Sequence, residues 1–217
     1  DGSGVGGRLR LRDDDGGLMV VRGNVIADHL RQLDFDESSR TAVADGPGRF
    51  RYVEDPIVLP GEGPVERPFL DAVVPTMEAT WGRRMSFDDV SNGGSGAVEL
   101  EGDVIVRNRP DPFEENDLDA DRLRLDLARR KNPPILDREG NPPSDDQLAA
   151  FSGSRDVRRL TATGNARLES RTWASADRAG DPDLFRITGP SVSYDTESRE
   201  GAVRGAGQLL VNTVPGA

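Results

Sequence analysis

The chain is 217 residues long, with 35% hydrophobic residues, 31% charged residues and a formal net charge of −11. So acidic a balance argues against gripping nucleic acid or an anionic membrane surface by charge. The chain has no Cys, which excludes disulfides and thiolate chemistry, and no apolar run approaches the roughly 18 residues that span a bilayer.

Twenty-five Gly and 15 Pro fit many short strands separated by turns. Few segments carry helical period, so the reading is all β. Of the 28 basic residues only Lys131 is not Arg, which reads as a bias towards GC-rich codons rather than as mechanism.

Residues 1–7 read as a flexible end. Arg8 to Arg12 alternates with period two, the mark of a half-buried strand. Strands follow at 18–21, 24–27, 32–36 and 49–53. Residues 54–76 carry five Pro and two Gly and make the best internal boundary. It divides a first, weaker unit (8–76) from a main one (77–217). The main unit opens with strands at 77–81, 84–87, 97–101 and 103–107.

Residues 108–117 read as a Pro- and acid-rich turn. Leu118 to Leu127 is strand-like, but its apolar parity switches near Asp121, which predicts a bulge there. Residues 128–156 form a long insertion rich in Pro and Asp, with one helical turn suggested at 147–151. Short strands complete the chain between Arg158 and Val211. The chain opens at Asp1 without a charged-then-apolar leader, and its strand pattern begins by residue 8, which predicts a segment of a longer protein.

One pattern recurs four times. An alternating run ends in an aromatic or Leu followed by Asp, then comes a polar turn, then a second alternating run reaches a Gly and continues apolar. Phe35-Asp36 leads to Gly46, Phe87-Asp88 to Gly102, Leu125-Asp126 to Gly164, and Tyr194-Asp195 to Gly205. A repeated strand–turn–strand unit predicts like layers, each unable to bury its apolar face alone.

From Val98 to Val211 the wording of these repeats resembles a known family. The carrying residues are Glu101-Gly102-Asp103-Val104, then Ala120-Asp121-Arg122-Leu123 and Leu125-Asp126. Ala162-Thr163-Gly164-Asn165-Ala166 and Ile187-Thr188-Gly189-Pro190 follow, with Val192-Ser193-Tyr194-Asp195. A weaker copy runs from Gly23-Asn24-Val25 to Gly46. The phrase is similar to the OstA-like β-jellyroll repeat of lipopolysaccharide-transport and organic-solvent-tolerance proteins.

The resemblance implies an antiparallel two-sheet β-jellyroll, or slotted roll. It also implies a periplasmic or cell-envelope setting, binding of lipid or lipopolysaccharide acyl chains between the sheets, and like modules stacked end to end. The slot would be lined by Val104, Val106, Leu123, Leu125, Leu160, Ala162, Ala166 and Leu168, if those faces point inward. The long insertions depart from the family pattern and fit a segment of a larger envelope protein. The reading from another class is a structural module whose edge strands pair with like modules, its interior filled solid.

Other candidates carry less. Residues 2–7 match G-x-G-x-x-G without the strand and helix that a dinucleotide site needs. His29 is the single histidine, so neither a triad nor a two-His metal site is complete; it reads as a strand-end residue. Asp117, Asp119 and Asp121 read as a solvated acidic strand edge, and Asp13-Asp14-Asp15 as a turn. No carboxylate pair is marked out for glycoside hydrolysis. Trp81, Trp173, Phe87, Tyr194 and Phe185 read as core plugs, with Trp173 out of phase and able to face outward. No catalytic residue, metal or cofactor is expected.

Overall fold

The computed structural model describes residues 8–12, 18–22, 25–52, 75–90, 96–129, 155–198 and 200–213. Over these residues the chain is all β, without helix. Its first strands are β1 (Arg8–Arg12), β2 (Leu18–Arg22), β3 (Val25–Leu30), β4 (Gln32–Asp36), β5 (Thr41–Asp45) and β6 (Gly48–Tyr52). Next come β7 (Met77–Trp81), β8 (Arg84–Asp88), β9 (Ala97–Asp111) and β10 (Glu114–Arg129). The last are β11 (Arg155–Thr172), β12 (Asp183–Asp195), β13 (Glu200–Arg204) and β14 (Gln208–Asn212). They form one continuous antiparallel sheet.

The long strands explain the topology. β9 pairs with β8 along its first part (Phe87 opposite Val98) and with β7 along its second (Ala79 opposite Val106). β12 likewise divides between β14 (Ile187 opposite Leu209) and β13 (Val192 opposite Val203). Earlier strands come in pairs that do one long strand's work. β3 and β4 meet at Arg31, β5 and β6 at Gly46-Pro47, and β7 and β8 at Gly82-Arg83.

The chain therefore meanders as ribbons, each with a corner in its middle and its sequence neighbours beside it. The first half-sheet holds β1, β4, β5, β8 and β13, with the matching parts of β9 to β12. The second holds β2, β3, β6, β7 and β14 with the remaining parts. The sheet is not closed: among the described residues β1 and β2 pair only with β4 and β3, and β13 and β14 only with β12. It runs unbroken from β6 to β7, across the boundary read at 54–76.

The corners show what the recurring Gly does. Gly46, Gly102, Gly164 and Gly205 have φ of 94°, 84°, 73° and 88°, the left-handed region that a side chain disfavours. Each lies against the corner of the preceding ribbon. A Cβ on Gly102 would sit 2.8 Å from the Arg83 Cβ, one on Gly164 2.1 Å from Asp121 Oδ2, and one on Gly205 3.0 Å from Pro190 Cγ. Backbone bonds carry the ladder through the line of corners: Gly82 N donates to Gly102 O (2.5 Å) and Gly46 N to Arg83 O (2.7 Å).

The bulge expected near Asp121 is a register shift between Asp119 and Arg122, facing a second shift between Thr163 and Ala166 on β11. The recurring Asp has its own task at the other end of the unit. Asp36 Oδ1 accepts from Ser38 N, Asp88 Oδ1 from Val90 N and Asp195 Oδ1 from Glu197 N, closing the hairpin turns. Asp126 differs and accepts from Arg124 Nε at 2.8 Å.

Several expectations lie outside the described residues: the flexible end 1–7, Asp13-Asp14-Asp15, the helical turn at 147–151, and most of both insertions. β6 ends at Tyr52 and β7 begins at Met77, while β10 extends to Arg129 and β11 begins at Arg155.

The core is one apolar cluster drawn from both half-sheets. It includes Ala44, Leu100, Leu123, Ala162 and Val192 from the first, and Leu30, Ala79, Trp81, Val104, Leu118, Ala120 and Ala166 from the second. Trp81 is its largest member. Its indole lies over Gly48, where a Cβ would come within 2.3 Å of Cζ2, and its Nε1 donates to Gly46 O at 3.1 Å.

Gly164→Ala and Gly180→Ala separate corner packing from backbone strain. Both positions have positive φ, but nothing lies within 4 Å of a Cβ at Gly180. Urea unfolding should show Gly164→Ala losing about 2–4 kcal/mol and Gly180→Ala about 1 kcal/mol. Equal losses would remove close contact at the corner as the reason for its glycine.

Candidate functional site

Each half-sheet presents a face of alternate residues to the shared cluster. In the first half-sheet the row beside the corners runs through Ala44, Met85, Leu100, Leu123, Ala162 and Val192, each the register partner of the next. A second row, two residues further out, runs through Phe35, Ala42, Phe87, Val98, Leu125 and Leu160, and ends at Tyr194. In the second half-sheet Ala27, Phe50, Ala79 and Val106 are consecutive partners, and the series continues through Leu118, Leu168, Ile187 and Leu209.

Burial is graded outwards. Of the eight residues expected to line a slot, Val104, Leu123, Ala162 and Ala166 are at most 1% exposed, so they belong to the sealed core. Val106, Leu125, Leu160 and Leu168 are half-buried and pack against that core from outside. They lie in the outer rows, where Ala79 and Leu118 beside them are buried. Further along those rows Phe35 and Tyr194 are each 39% exposed, and Leu209 on the last ribbon is 65% exposed.

Three polar residues lie one step further out on the same face of the second half-sheet. Asn116 is the register partner of Asn108 on one side and Ser170 on the other. All three are half-buried. Met77 continues the row beyond Asn108, with Tyr52 after it, and Phe185 continues it beyond Ser170. Asn116 Nδ2 donates to Glu114 Oε1 at 2.6 Å. The turn expected over 108–117 is shorter than its composition suggests: β9 runs on to Asp111 and β10 starts at Glu114, so Asn108 and Asn116 are paired strand residues, and Asn108 continues the Val104, Val106 alternation.

Two aromatic expectations need correction. Phe185 and Tyr194 are too exposed to be core plugs, at 38% and 39%, because the ribbon that would cover them is the last and is itself open. Trp81 is such a plug. Trp173 is half-buried beneath the Arg178 guanidinium, 4.5 Å from the ring centroid. His29, at the end of β3, has a φ of 59° and its Nδ1 lies 2.7 Å from Asp28 Oδ1.

The opposite face of the second half-sheet is a lattice of ion pairs. Glu169 has 1% of its side chain exposed and lies among Arg167 (2.6 Å), Arg171 and Arg186. Burial opposes its ionisation, but hydrogen bonds from Arg186 and Arg167 and the charge of Arg171 outweigh it and hold the carboxyl at about 2. Arg171 also reaches Asp117 at 2.9 Å, and Glu115 accepts from Arg109 and Arg178. At the far end Asp28 takes a two-point bond from Arg49 and a third from Arg51, at 2.6 to 3.0 Å. Against the cost of burial, these arginines and His29 lower it to about 2.

The Asp117 and Asp119 carboxylates thus sit within an arginine lattice, not along a bare acidic edge; with Arg107 and Arg167 they border a cleft of about 170 Å³. A second cleft, of about 370 Å³, runs along β14 beside Arg186, Leu209 and Leu210. Among the described residues no helix is long and apolar enough to cross a membrane. The chain matches no protein-family model, and no curated protein matches it.

The lattice sets a pH dependence. Both carboxyls have folded values below their ordinary ones (4.5 for Glu169, 3.8 for Asp28), so their contribution is present above those ordinary values. It is lost as pH falls through about 2. Urea midpoints should fall steadily between about pH 5 and about pH 2. Glu169→Gln should be less stable at neutral pH, with a flatter slope over that window. An unchanged slope would mean that the arginines do not depend on this charge.

Proposed function

We propose that the protein is a non-catalytic cell-envelope module that holds lipid acyl chains between two facing half-sheets. In this reading the bent sheet is a slotted β-jellyroll of the lipopolysaccharide-transport type, working in the periplasm. The observation that carries it is the grading of the inner rows. Apolar rows cross both half-sheets, sealed beside the corners and half-buried at Val106, Leu125, Leu160 and Leu168 further out. Val106 and Leu168 on one half-sheet, with Leu125 and Leu160 on the other, form the middle of that trough.

The energetics are adequate. Burying a methylene gains about 0.8 kcal/mol, so a dodecanoyl chain gains on the order of 9 kcal/mol before the cost of ordering it. The acidic surface does not oppose binding through tails, whereas it disfavours recognition of phosphates.

A fluorescent dodecanoyl fatty acid should bind saturably. Val106→Arg, which sets a charge in the middle of the trough, should weaken binding at least about tenfold with the fold intact by circular dichroism. Absence of saturable binding, or equal binding by the variant, would remove the trough.

A second reading rests on a different observation. β13 and β14 are exposed at every position, and Leu209, Leu210 and Val211 are 46–65% exposed beside an edge that is unpaired among the described residues. Such an edge accepts another strand, which fits an assembly module pairing with like modules. Sedimentation should then show concentration-dependent oligomers that Leu210→Lys with Val211→Lys reduces to monomer. A monomer at all concentrations would exclude this reading.

A further inference from the structure

We infer that Asn108, Asn116 and Ser170 form a lip that recognises uncharged hydrogen-bonding groups next to the acyl chain of the bound lipid. This rests on the trough proposed above and names the class of lipid it selects: an acyl chain joined to a hydroxylated or amide-bearing headgroup without phosphate.

The three residues are neighbours across β9, β10 and β11. They share the face of Val106, Leu118 and Leu168 and stand two residues beyond them along each strand. That spacing is about 7 Å, a few methylene lengths. A chain lying on the apolar row therefore brings its polar root to the amides and hydroxyl.

Their side chains are available. Among the described residues neither the Asn108 amide nor the Ser170 hydroxyl makes a hydrogen bond. Asn116 uses one donor, to Glu114, and keeps its carbonyl oxygen. In a half-buried site, donors and acceptors left open in this way favour a ligand that completes them and discriminate against one that lacks matching groups.

The charge decides which headgroup. The one ionisable side chain bonded to the lip is Glu114, and the described arginines of this half-sheet lie on the opposite face, most of them paired with Glu169, Asp117, Glu115 or Asp28. Among the described residues, a phosphate at the lip would meet the Glu114 carboxylate and no arginine of that face. Hydroxyl and amide N–H groups would find acceptors at Glu114 and Asn116. Tyr52 and Phe185, at either end of the same row, add half-exposed rings suited to the apolar faces of a polyhydroxylated group.

The test uses competitors with one acyl chain and two heads. Monolauroylglycerol and lauroyl lysophosphatidic acid would each displace the fluorescent dodecanoyl probe from the full chain. The neutral lipid should compete at about tenfold lower concentration. In Asn108→Leu with Asn116→Leu that preference should vanish, with saturable probe binding still measurable and the fold intact by circular dichroism. Ser170→Ala, a milder change that leaves the amides in place, should reduce it in part. Displacement by neither lipid would overturn the trough itself. Equal displacement by both, or a preference that survives the double variant, would overturn the lip and leave the trough standing.

Discussion

The structure depends on a contact at its corners. Each ribbon must turn from one half-sheet into the other without breaking the ladder it shares with its neighbours. At Gly46, Gly102, Gly164 and Gly205 the chain does so with a positive φ, and at three of them it presses so closely on the preceding corner that no Cβ fits without movement. The partner differs each time: Arg83 backbone and side chain, the Asp121 carboxylate, the Pro190 ring. What is constant is the empty place the glycine provides. Because the corners lie side by side, their hydrogen bonds continue the pairing across the line, and the fold needs no separate connection between its halves.

From that line outward the residues follow with little freedom. A period of two along every strand puts the same parity on the inner face of a whole row. The first row is compressed at the corners and becomes the sealed core around Val104, Leu123 and Trp81. The next is apolar but only half-covered, and the third turns polar in its middle at Asn108, Asn116 and Ser170. Such a succession from dry to wet over two residues per step matches the profile of an amphiphile. On the opposite face, an arginine lattice around Glu169 and Asp28 lets a chain with few apolar residues bury charge without leaving it unpaired.

Much of this was legible in the residues. The four repeats mark real units: Asp36, Asp88 and Asp195 end their strands, Asp126 lies three residues before the end of β10, and each Gly is a corner. The parity switch near Asp121 is the turning of β10. That Val104 shares a face with Val106, and Leu123 with Leu125, followed from alternation; which face points inward did not. The aromatics at 185 and 194 misled because hydrophobicity alone suggests burial, whereas their exposure follows from standing beside an edge ribbon. The polar lip was not legible because Asn108 and Asn116 fall in a Pro- and acid-rich stretch that reads as a turn, and Ser170 as the polar end of a strand. Only the register, which sets the three side by side, makes them a patch.

By itself the sequence determined the class of fold, the spacing of its turns and the faces of its strands, because these are set by local alternation and by the backbone demands of Gly and Asp. Tertiary structure alone decided which apolar residues are sealed and which stay open, and which arginine answers which carboxylate. Those outcomes depend on pairings between strands tens of residues apart, such as Glu115 with Arg171 or Ala79 with Val106. No short window of the chain contains both partners.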